Sequence, residues 1–305
     1  MSFDSLIREA LGHINDADWS SSGFELRKAY VCAIFSELAY QCIQDHELKN
    51  AKRVTIIPCF AYQNAVRQGR AEDFNGLMAS LDFGQFFVVN RRYAVVVGVK
   101  TAKVIIIAIR GTTDLYDWLV NLRASKHTWE GGAGAIQFHK GFFRAIWACL
   151  EPASVEVHKF FQSSQGATPI QEPIPIYITG HSLGGALSAI MFATWSIVVS
   201  RELTHEGRVH ENRIFPHAGY TFGMPRYGDL RAVSIYRTPY HLYNDRDIVP
   251  TVPPRWLGFD NCFSEFQLDG TSIENISQRE GLKFVNWISR LVSGRGVSNH
   301  AIELY

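Results

Sequence analysis

The chain has few cysteines for its length, and they form no recognisable set. Five cysteines occur in 305 residues, and no two of them make a C-x-x-C pair. An odd and scattered set argues against a disulfide framework and against a cysteine-built zinc site. We therefore expect most of the five to be buried small apolar side chains.

An excess of charge of either sign is also lacking. Thirty Lys and Arg residues oppose 29 Asp and Glu residues, and no basic run or RNA-binding signature occurs. Nucleic acid is therefore not an expected partner. The sequence contains no P-loop, no G-x-G-x-x-G fingerprint and no H-E-x-x-H, which argues against nucleotide cofactors and against metal catalysis.

Targeting signals are not evident in the sequence. Residues 1–15 mix Asp4, Arg8 and Glu9 into their apolar positions, so they lack the apolar core of a signal peptide. We expect a cytoplasmic protein, although export by another route leaves no readable mark. Residues 174–200 contain no Asp, Glu, Lys or Arg. A glycine-rich turn interrupts this run, so we predict a buried strand and a buried helix rather than a transmembrane segment.

The composition and the hydrophobic periodicity predict one α/β domain over residues 1–305. Apolar residues make up 47% and charged residues 19%, and no linker divides the chain. Strands that alternate with helices after residue 104 predict a mostly parallel central sheet with helices on both faces. Residues 1–85 are predicted to be a helical segment packed on that sheet. The predicted elements are helices at 25–39, 141–161 and 284–292 and strands at 85–89, 93–99, 104–109, 218–222 and 240–243.

The most informative motif is Gly180-His181-Ser182-Leu183-Gly184. An apolar run rich in isoleucine precedes it and a helix-prone segment follows it. This context predicts a nucleophile elbow, in which a serine sits on a turn too tight for side chains two residues to either side. Ser182 is therefore the candidate nucleophile, and a Gly-rich loop is the alternative.

A serine nucleophile needs a base and an acid that orients the base. In the order Ser, acid, His, the natural base is His300, which has the candidate acids upstream of it. Asp247 is the preferred acid because it follows a predicted strand and leads into apolar residues. Asp245 and then Asp229 are the alternatives. The oxyanion donors are predicted to be the N–H of Leu183 and, after the strand at 104–109, that of Thr112, although an ordinary turn also fits there.

These residues resemble the class 3 lipases, an α/β-hydrolase group that includes the fungal triacylglycerol lipases. The matching motifs are Ile109-Arg110-Gly111-Thr112-Thr113, Asp117-Trp118-Leu119, His139-Lys140-Gly141-Phe142, the elbow, the segment 221–228, Asp247-Ile248-Val249-Pro250 and His300. The resemblance implies an α/β-hydrolase fold, a Ser182–Asp247–His300 triad, Thr112 and Leu183 as oxyanion donors, and ester hydrolysis without a cofactor. The chain departs from the family in two respects. Fungal members are secreted and disulfide-bonded, and we expect neither feature in this chain. Residues 1–85 match none of the family's motifs.

The segment 115–122 has an amphipathic pattern that is relevant to the class of substrate. Leu115, Trp118, Leu119 and Leu122 recur at helical spacing, as in a lid over the active site or in a helix packed on the core. A lid implies an acylglycerol or another apolar ester as substrate, with transient contact to a lipid interface. Residues 129–134 suit a hinge or a plain loop. The alternatives are a phospholipase or galactolipase, a lidless short-chain esterase, and a non-catalytic binding protein of the same fold.

Overall fold

The computed structural model describes residues 3–42, 74–81, 83, 85–91, 93–111, 123–130, 134–162, 174–205, 214–234, 238–244, 246–268 and 273–276. The helices in these ranges are α1 (Phe3–Asp16), α2 (Leu26–Tyr40), α3 (Phe74–Ser80), α4 (Lys140–Gln162), α5 (Leu183–His205) and α6 (Leu230–Ser234). The strands are β1 (Gln85–Arg91), β2 (Ala94–Lys100), β3 (Ile105–Ile109), β4 (Lys126–Glu130), β5 (Ala135–His139), β6 (Ile176–His181), β7 (Pro216–Phe222), β8 (Tyr240–Asn244), β9 (Ser264–Leu268) and β10 (Ile273–Ile276).

The main sheet has the strand order β1-β2-β3-β6-β7-β8-β9-β10. Its centre, from β3 through β9, is parallel, whereas β1, β2 and β10 pair antiparallel with their neighbours at the two edges. This arrangement confirms the predicted mostly parallel sheet. A separate hairpin is formed by β4 and β5.

The two faces of the sheet carry separate apolar cores, as the alternation of side chains in a strand requires. Ile105, Ile107 and Ile109 of β3 pack with α4 and α5, while Ile106 and Ala108 pack with α1 and α2. Helices therefore cover both faces, as predicted. Helix α2 is buried over most of its length. Residues 31–40 are buried on all sides, and Leu26 is 55% exposed.

Three tyrosines fasten the segment before α2 to the sheet. Tyr177 is the second residue of β6, Tyr220 the fifth of β7 and Tyr240 the first of β8. Their hydroxyls donate to backbone carbonyls within residues 19–23. The burial of Tyr177 and Tyr220 raises the pKa of both phenols, so these donors stay protonated at neutral pH. The segment between α1 and α2 is thus bonded to three neighbouring strands of the sheet, β6, β7 and β8.

The charge-free run at 174–200 forms β6 and most of α5. Within the described part of the chain, no helix has the length and apolar character needed to cross a membrane. The four described cysteines, Cys32, Cys42, Cys149 and Cys262, are buried, and none of them is in a disulfide. The predicted helix at 284–292 lies outside the described residues.

Candidate active site

Ser182 occupies a sharp corner between β6 and α5. Its φ is 59°, which is the left-handed conformation that a non-glycine residue rarely adopts. The corner is held by backbone hydrogen bonds from Ser182 N–H to Phe222 O, at 2.9 Å, and from Gly185 N–H to Ser182 O, at 2.9 Å. The strand, turn and helix predicted for the motif are therefore present.

The glycines around this corner are required by close backbone approaches. A Cβ on Gly180 would collide with the carbonyl of Gly184 and lie 2.6 Å from Ser188 Oγ. A Cβ on Gly184 would collide with Ile109 O at the end of β3, and one on Gly185 would lie 2.7 Å from Met224 Cβ. A real Cβ makes no such contacts, so the elbow packs against β3 and the loop after β7 only because these side chains are missing.

The hydroxyl of Ser182 is completely buried, and Oγ has no hydrogen-bond partner among the residues that the structure describes. By contrast, Ser188, one and a half turns further along α5, donates within 2.7 Å of both Thr179 O and Gly184 O. Leu183 is the first residue of α5, so its N–H has no acceptor within the helix. A buried hydroxyl and an N–H at a helix N-terminus therefore adjoin one another.

Asp247 is placed two strands away from Ser182, beyond the end of β8. The separation of Ser182 from Asp247 across the sheet corresponds to two strand spacings, about 10 Å. The Asp247 carboxylate is fully buried, and its Oδ1 accepts the Val249 N–H at 2.8 Å. Asp229 has a different function: its Oδ1 accepts the Ala232 N–H at 2.9 Å and caps α6. Asp245 lies outside the described residues.

The described histidines that follow Ser182 are engaged elsewhere or lie too far away. His241 uses both ring nitrogens, since Nε2 accepts the Met224 N–H at 3.0 Å and Nδ1 lies 3.2 Å from Glu265 Oε1. His217 stands at the beginning of β7, where Nδ1 accepts the Ile176 N–H. His205 ends α5, about 33 Å from Ser182 at 1.5 Å per residue. None of these three is positioned as a base.

Arg226 is a buried residue of the segment 221–228 to which the sequence analysis assigned no role of its own. It lies in the loop after β7 and donates from Nη1 to the carbonyls of Thr251 and Pro253, while its own N–H bonds to Val252 O. Nε donates to Asn261 Oδ1 at 2.7 Å. The guanidinium thus clamps the segment that follows Asp247. Its place beside the Gly223-Met224-Pro225 loop was the only sequence signal for it.

His139, in the predicted motif His139-Lys140-Gly141-Phe142, ends β5 at the start of α4. Its ring stacks on Phe142 at 3.8 Å between centroids, and Nδ1 accepts the Phe142 N–H at 3.4 Å. Burial lowers the pKa of His139 to about 4. The ring is therefore neutral at physiological pH and supports the start of α4.

Several predicted site residues lie outside the described residues. These are Thr112, the stripe of Leu115, Trp118, Leu119 and Leu122, and His300. The segment predicted as a hinge or loop at 129–134 belongs in part to the β4–β5 hairpin, where Trp129 faces Ile136 and Glu130 faces Ala135. Of the predicted site residues, Ser182, Leu183 and Asp247 are described, and all three follow the carboxyl ends of the parallel strands β6 and β8.

A serine on a left-handed corner between a central parallel strand and a helix, with helices on both faces of the sheet, defines an α/β-hydrolase fold. A triacylglycerol lipase of known structure, whose catalytic centre is a serine protease triad, is similar with a TM-score of 0.56 and 19% identity. The match covers 90% of this chain and 92% of that chain. At this identity the likeness concerns the fold.

Sequence comparison finds similar proteins among the lipases. The sequence profile of lipase (class 3) matches residues 106–256. Secreted mono- and diacylglycerol lipase 1 of Fusarium solani is 26% identical over 198 residues, which are 64% of this chain and 53% of that protein. A lipase of Rhizomucor miehei is 29% identical over 178 residues, 57% of this chain and 44% of that protein. The chain is thus similar to class 3 lipases over residues 106–256, and it spans about half the length of the curated relatives it matches.

Proposed function

We propose that the protein is a serine carboxylic ester hydrolase that acts as a lipase on acylglycerols. The observation that carries this proposal is the Ser182 hydroxyl, which is buried on a left-handed corner without a partner in the described structure. A buried polar group without a partner costs free energy, and backbone strain of this kind concentrates at functional sites. The acylglycerol substrate is suggested by the names of the similar lipases.

The proposed triad is Ser182, Asp247 and His300. His300 takes the proton of Ser182 Oγ as this oxygen attacks the ester carbonyl carbon, and Asp247 orients the imidazole. The N–H groups of Leu183 and Thr112 bind the negatively charged oxygen of the tetrahedral intermediate. Collapse of the intermediate breaks the ester bond, and the departing alcohol takes the proton from His300. Water then attacks the acyl-enzyme in the same way and releases the carboxylic acid.

Elimination supports His300 as the base. His205, His217 and His241 are excluded by their positions and bonds. Of the two histidines after Ser182 that lie outside the described residues, His210 precedes Asp247 in the chain. Only His300 satisfies the order of serine, acid and histidine.

The burial of Ser182 favours a covered site over an open esterase pocket. Because no part of the side chain is exposed, an ester reaches Oγ only after a covering segment moves. We propose that the segment with Leu115, Trp118, Leu119 and Leu122 is that cover and that it opens at a lipid surface. Hydrolysis of a short-chain ester is then expected to rise steeply above the solubility limit of the substrate. A smooth saturating curve through that limit would indicate a lidless esterase.

Covalent labelling tests the central assignment. A fluorophosphonate probe should modify Ser182, as mapped by mass spectrometry, and the Ser182→Ala variant should lose both labelling and turnover by roughly 10⁴-fold or more. Ser154→Ala is the matched control, since it removes another buried hydroxyl, on α4, away from the elbow. Labelling at another residue, or full turnover by Ser182→Ala, would refute the proposal. A panel of triacylglycerol, phospholipid and galactolipid substrates then distinguishes the lipase from the phospholipase or galactolipase.

A further inference from the structure

The end of α2 lies against the residue that precedes the nucleophile. Tyr40 is the last residue of α2, and its hydroxyl is 3.2 Å from Nδ1 of His181, within hydrogen-bond distance. Both side chains are completely buried. Tyr40 precedes the part of the chain that matches the family profile, which begins at residue 106.

The same hydroxyl touches the residue that follows Arg110 at the end of β3. A Cβ on Gly111 would collide with Tyr40 Oη and lie 2.6 Å from the carbonyl oxygen of His181. Gly111 is therefore enclosed between the tip of Tyr40 and the backbone of the elbow. On the other side of the elbow, a Cβ on Gly184 would lie 2.8 Å from Gly111 N. The chain leaves β3 through a passage that only a glycine fits.

A second bond fixes α2 to the same place. Arg110, which is 8% exposed, donates from Nη1 to the carbonyl of Cys42 at 2.6 Å. Its own N–H bonds to Val95 O, so its backbone remains registered with the sheet. A cationic donor at a helix C-terminus also interacts favourably with the helix dipole. Tyr40 and Arg110 therefore link the carboxyl end of α2 to both sides of the passage at Gly111.

We propose that Tyr40 is a positioning residue for the oxyanion hole. Together with Arg110, it holds Gly111 against the elbow. This inference rests on the proposed function, because Thr112, the next residue, is the proposed second oxyanion donor. Tyr40 acts through Gly111 and His181 and does not itself contact the ester.

The expected effect follows from how oxyanion holes work. Their donors stabilise charge that is present only in the transition state, so a displaced donor lowers kcat and leaves KM nearly unchanged. Loss of a whole donor lowers kcat by roughly 10²- to 10³-fold, so a donor held less firmly should cost less. We expect Tyr40→Phe to lower kcat about 10-fold, with KM within about twofold of the wild type.

Tyr177→Phe is the matched control. It removes another buried hydroxyl, which donates to Trp19 O and Ser21 O. Tyr177 lies near the beginning of β6, whereas Ser182 follows the end of that strand. This variant should lose stability but keep kcat within about twofold. Turnover of a soluble p-nitrophenyl ester, urea unfolding, and hydrogen exchange of peptides covering 105–111 and 176–185 are measured on all three full-length proteins. Exchange of these peptides should rise in Tyr40→Phe, and that of 105–111 should not rise in Tyr177→Phe.

Each result decides one question. An unchanged kcat in Tyr40→Phe, or a raised KM with unchanged kcat, would overturn the positioning role, the latter by indicating direct substrate contact. Equal losses of kcat in both variants would overturn it as well, since they would reflect stability alone. A wild-type protein without turnover or Ser182 labelling would refute the proposed function instead. The link from α2 is then judged by exchange alone, and unchanged exchange in Tyr40→Phe would overturn it.

Discussion

Replacement of Gly184 by alanine tests the backbone packing on which the site depends. An alanine Cβ at this position would collide with Ile109 O and lie 2.8 Å from both Arg110 C and Gly111 N. Ordinary contacts between such atoms are about 3.5–4.0 Å, so β3 or α5 must move by more than half an ångström. The colliding atoms are backbone, which no rotamer change relieves. We therefore take the upper part of the overpacking range, about 3 kcal/mol of lost stability.

The matched control is Gly12→Ala. Gly12 lies inside α1, and a Cβ there meets no atom within 4 Å. Alanine should therefore stabilise the protein by about 0.5–1 kcal/mol, because glycine in a helix has a larger entropy loss on folding. Urea unfolding followed by circular dichroism should show a difference of about 3.5–4 kcal/mol in unfolding free energy between the two variants, the sum of the loss and the gain above. Ester turnover should fall only in Gly184→Ala. Equal stability and turnover of both variants would refute the close approach of β3 to the elbow.

Three further predictions concern single side chains. Ser182→Gly should be inactive yet more stable than Ser182→Ala by about 1 kcal/mol, since glycine adopts a φ of 59° without strain; a less stable glycine variant in thermal unfolding would contradict this. Asp247→Asn should lower kcat by roughly 10⁴-fold, whereas Asp229→Asn retains the α6 cap and should change kcat less than twofold; the reverse pattern would refute the acid assignment. The pKa of His139 is lowered to about 4 by burial, against an ordinary value of 6.5. Its contribution to stability is therefore complete above about pH 6.5 and lost as pH falls to 4, up to roughly 3 kcal/mol. His139→Gln should flatten the pH dependence of the unfolding free energy in that window, and an unchanged slope would exclude His139 as its source.

The sequence predicted those parts of the fold that local patterns encode. The β-branched runs of β1 to β3 and the charge-free run of β6 and α5 have their periodicity in consecutive residues, and the structure confirms them. The elbow was predictable from its local motif, and the steric demand on Gly180 does come from Gly184 within the same five residues, whereas the demand on Gly184 comes from the end of β3. Asp247 was placed by a weaker local signal, a strand followed by apolar residues, and its complete burial agrees with that interpretation.

Contacts between distant segments left no such pattern. Tyr177, Tyr220 and Tyr240 resemble ordinary strand residues, and nothing in their neighbours indicates that their hydroxyls bond to residues 19–23. Likewise, nothing in the sequence around Arg226 indicates that its guanidinium bonds to carbonyls of the loop after β8. Such partners depend on how the sheet is assembled, and one sequence without its relatives does not specify them. The prediction of one domain over residues 1–305 remains a prediction.

These distant contacts explain why the N-terminal helices matter to a site whose candidate groups lie after residue 109. A left-handed serine is strained by roughly 1–2 kcal/mol, so its conformation persists only where the surroundings leave no relaxed alternative. From one side the Phe222 carbonyl and α5 hold the corner. From the other side, α2 encloses His181 and Gly111 through Tyr40. Residues outside the family match therefore form part of the wall that keeps Ser182 in its strained conformation.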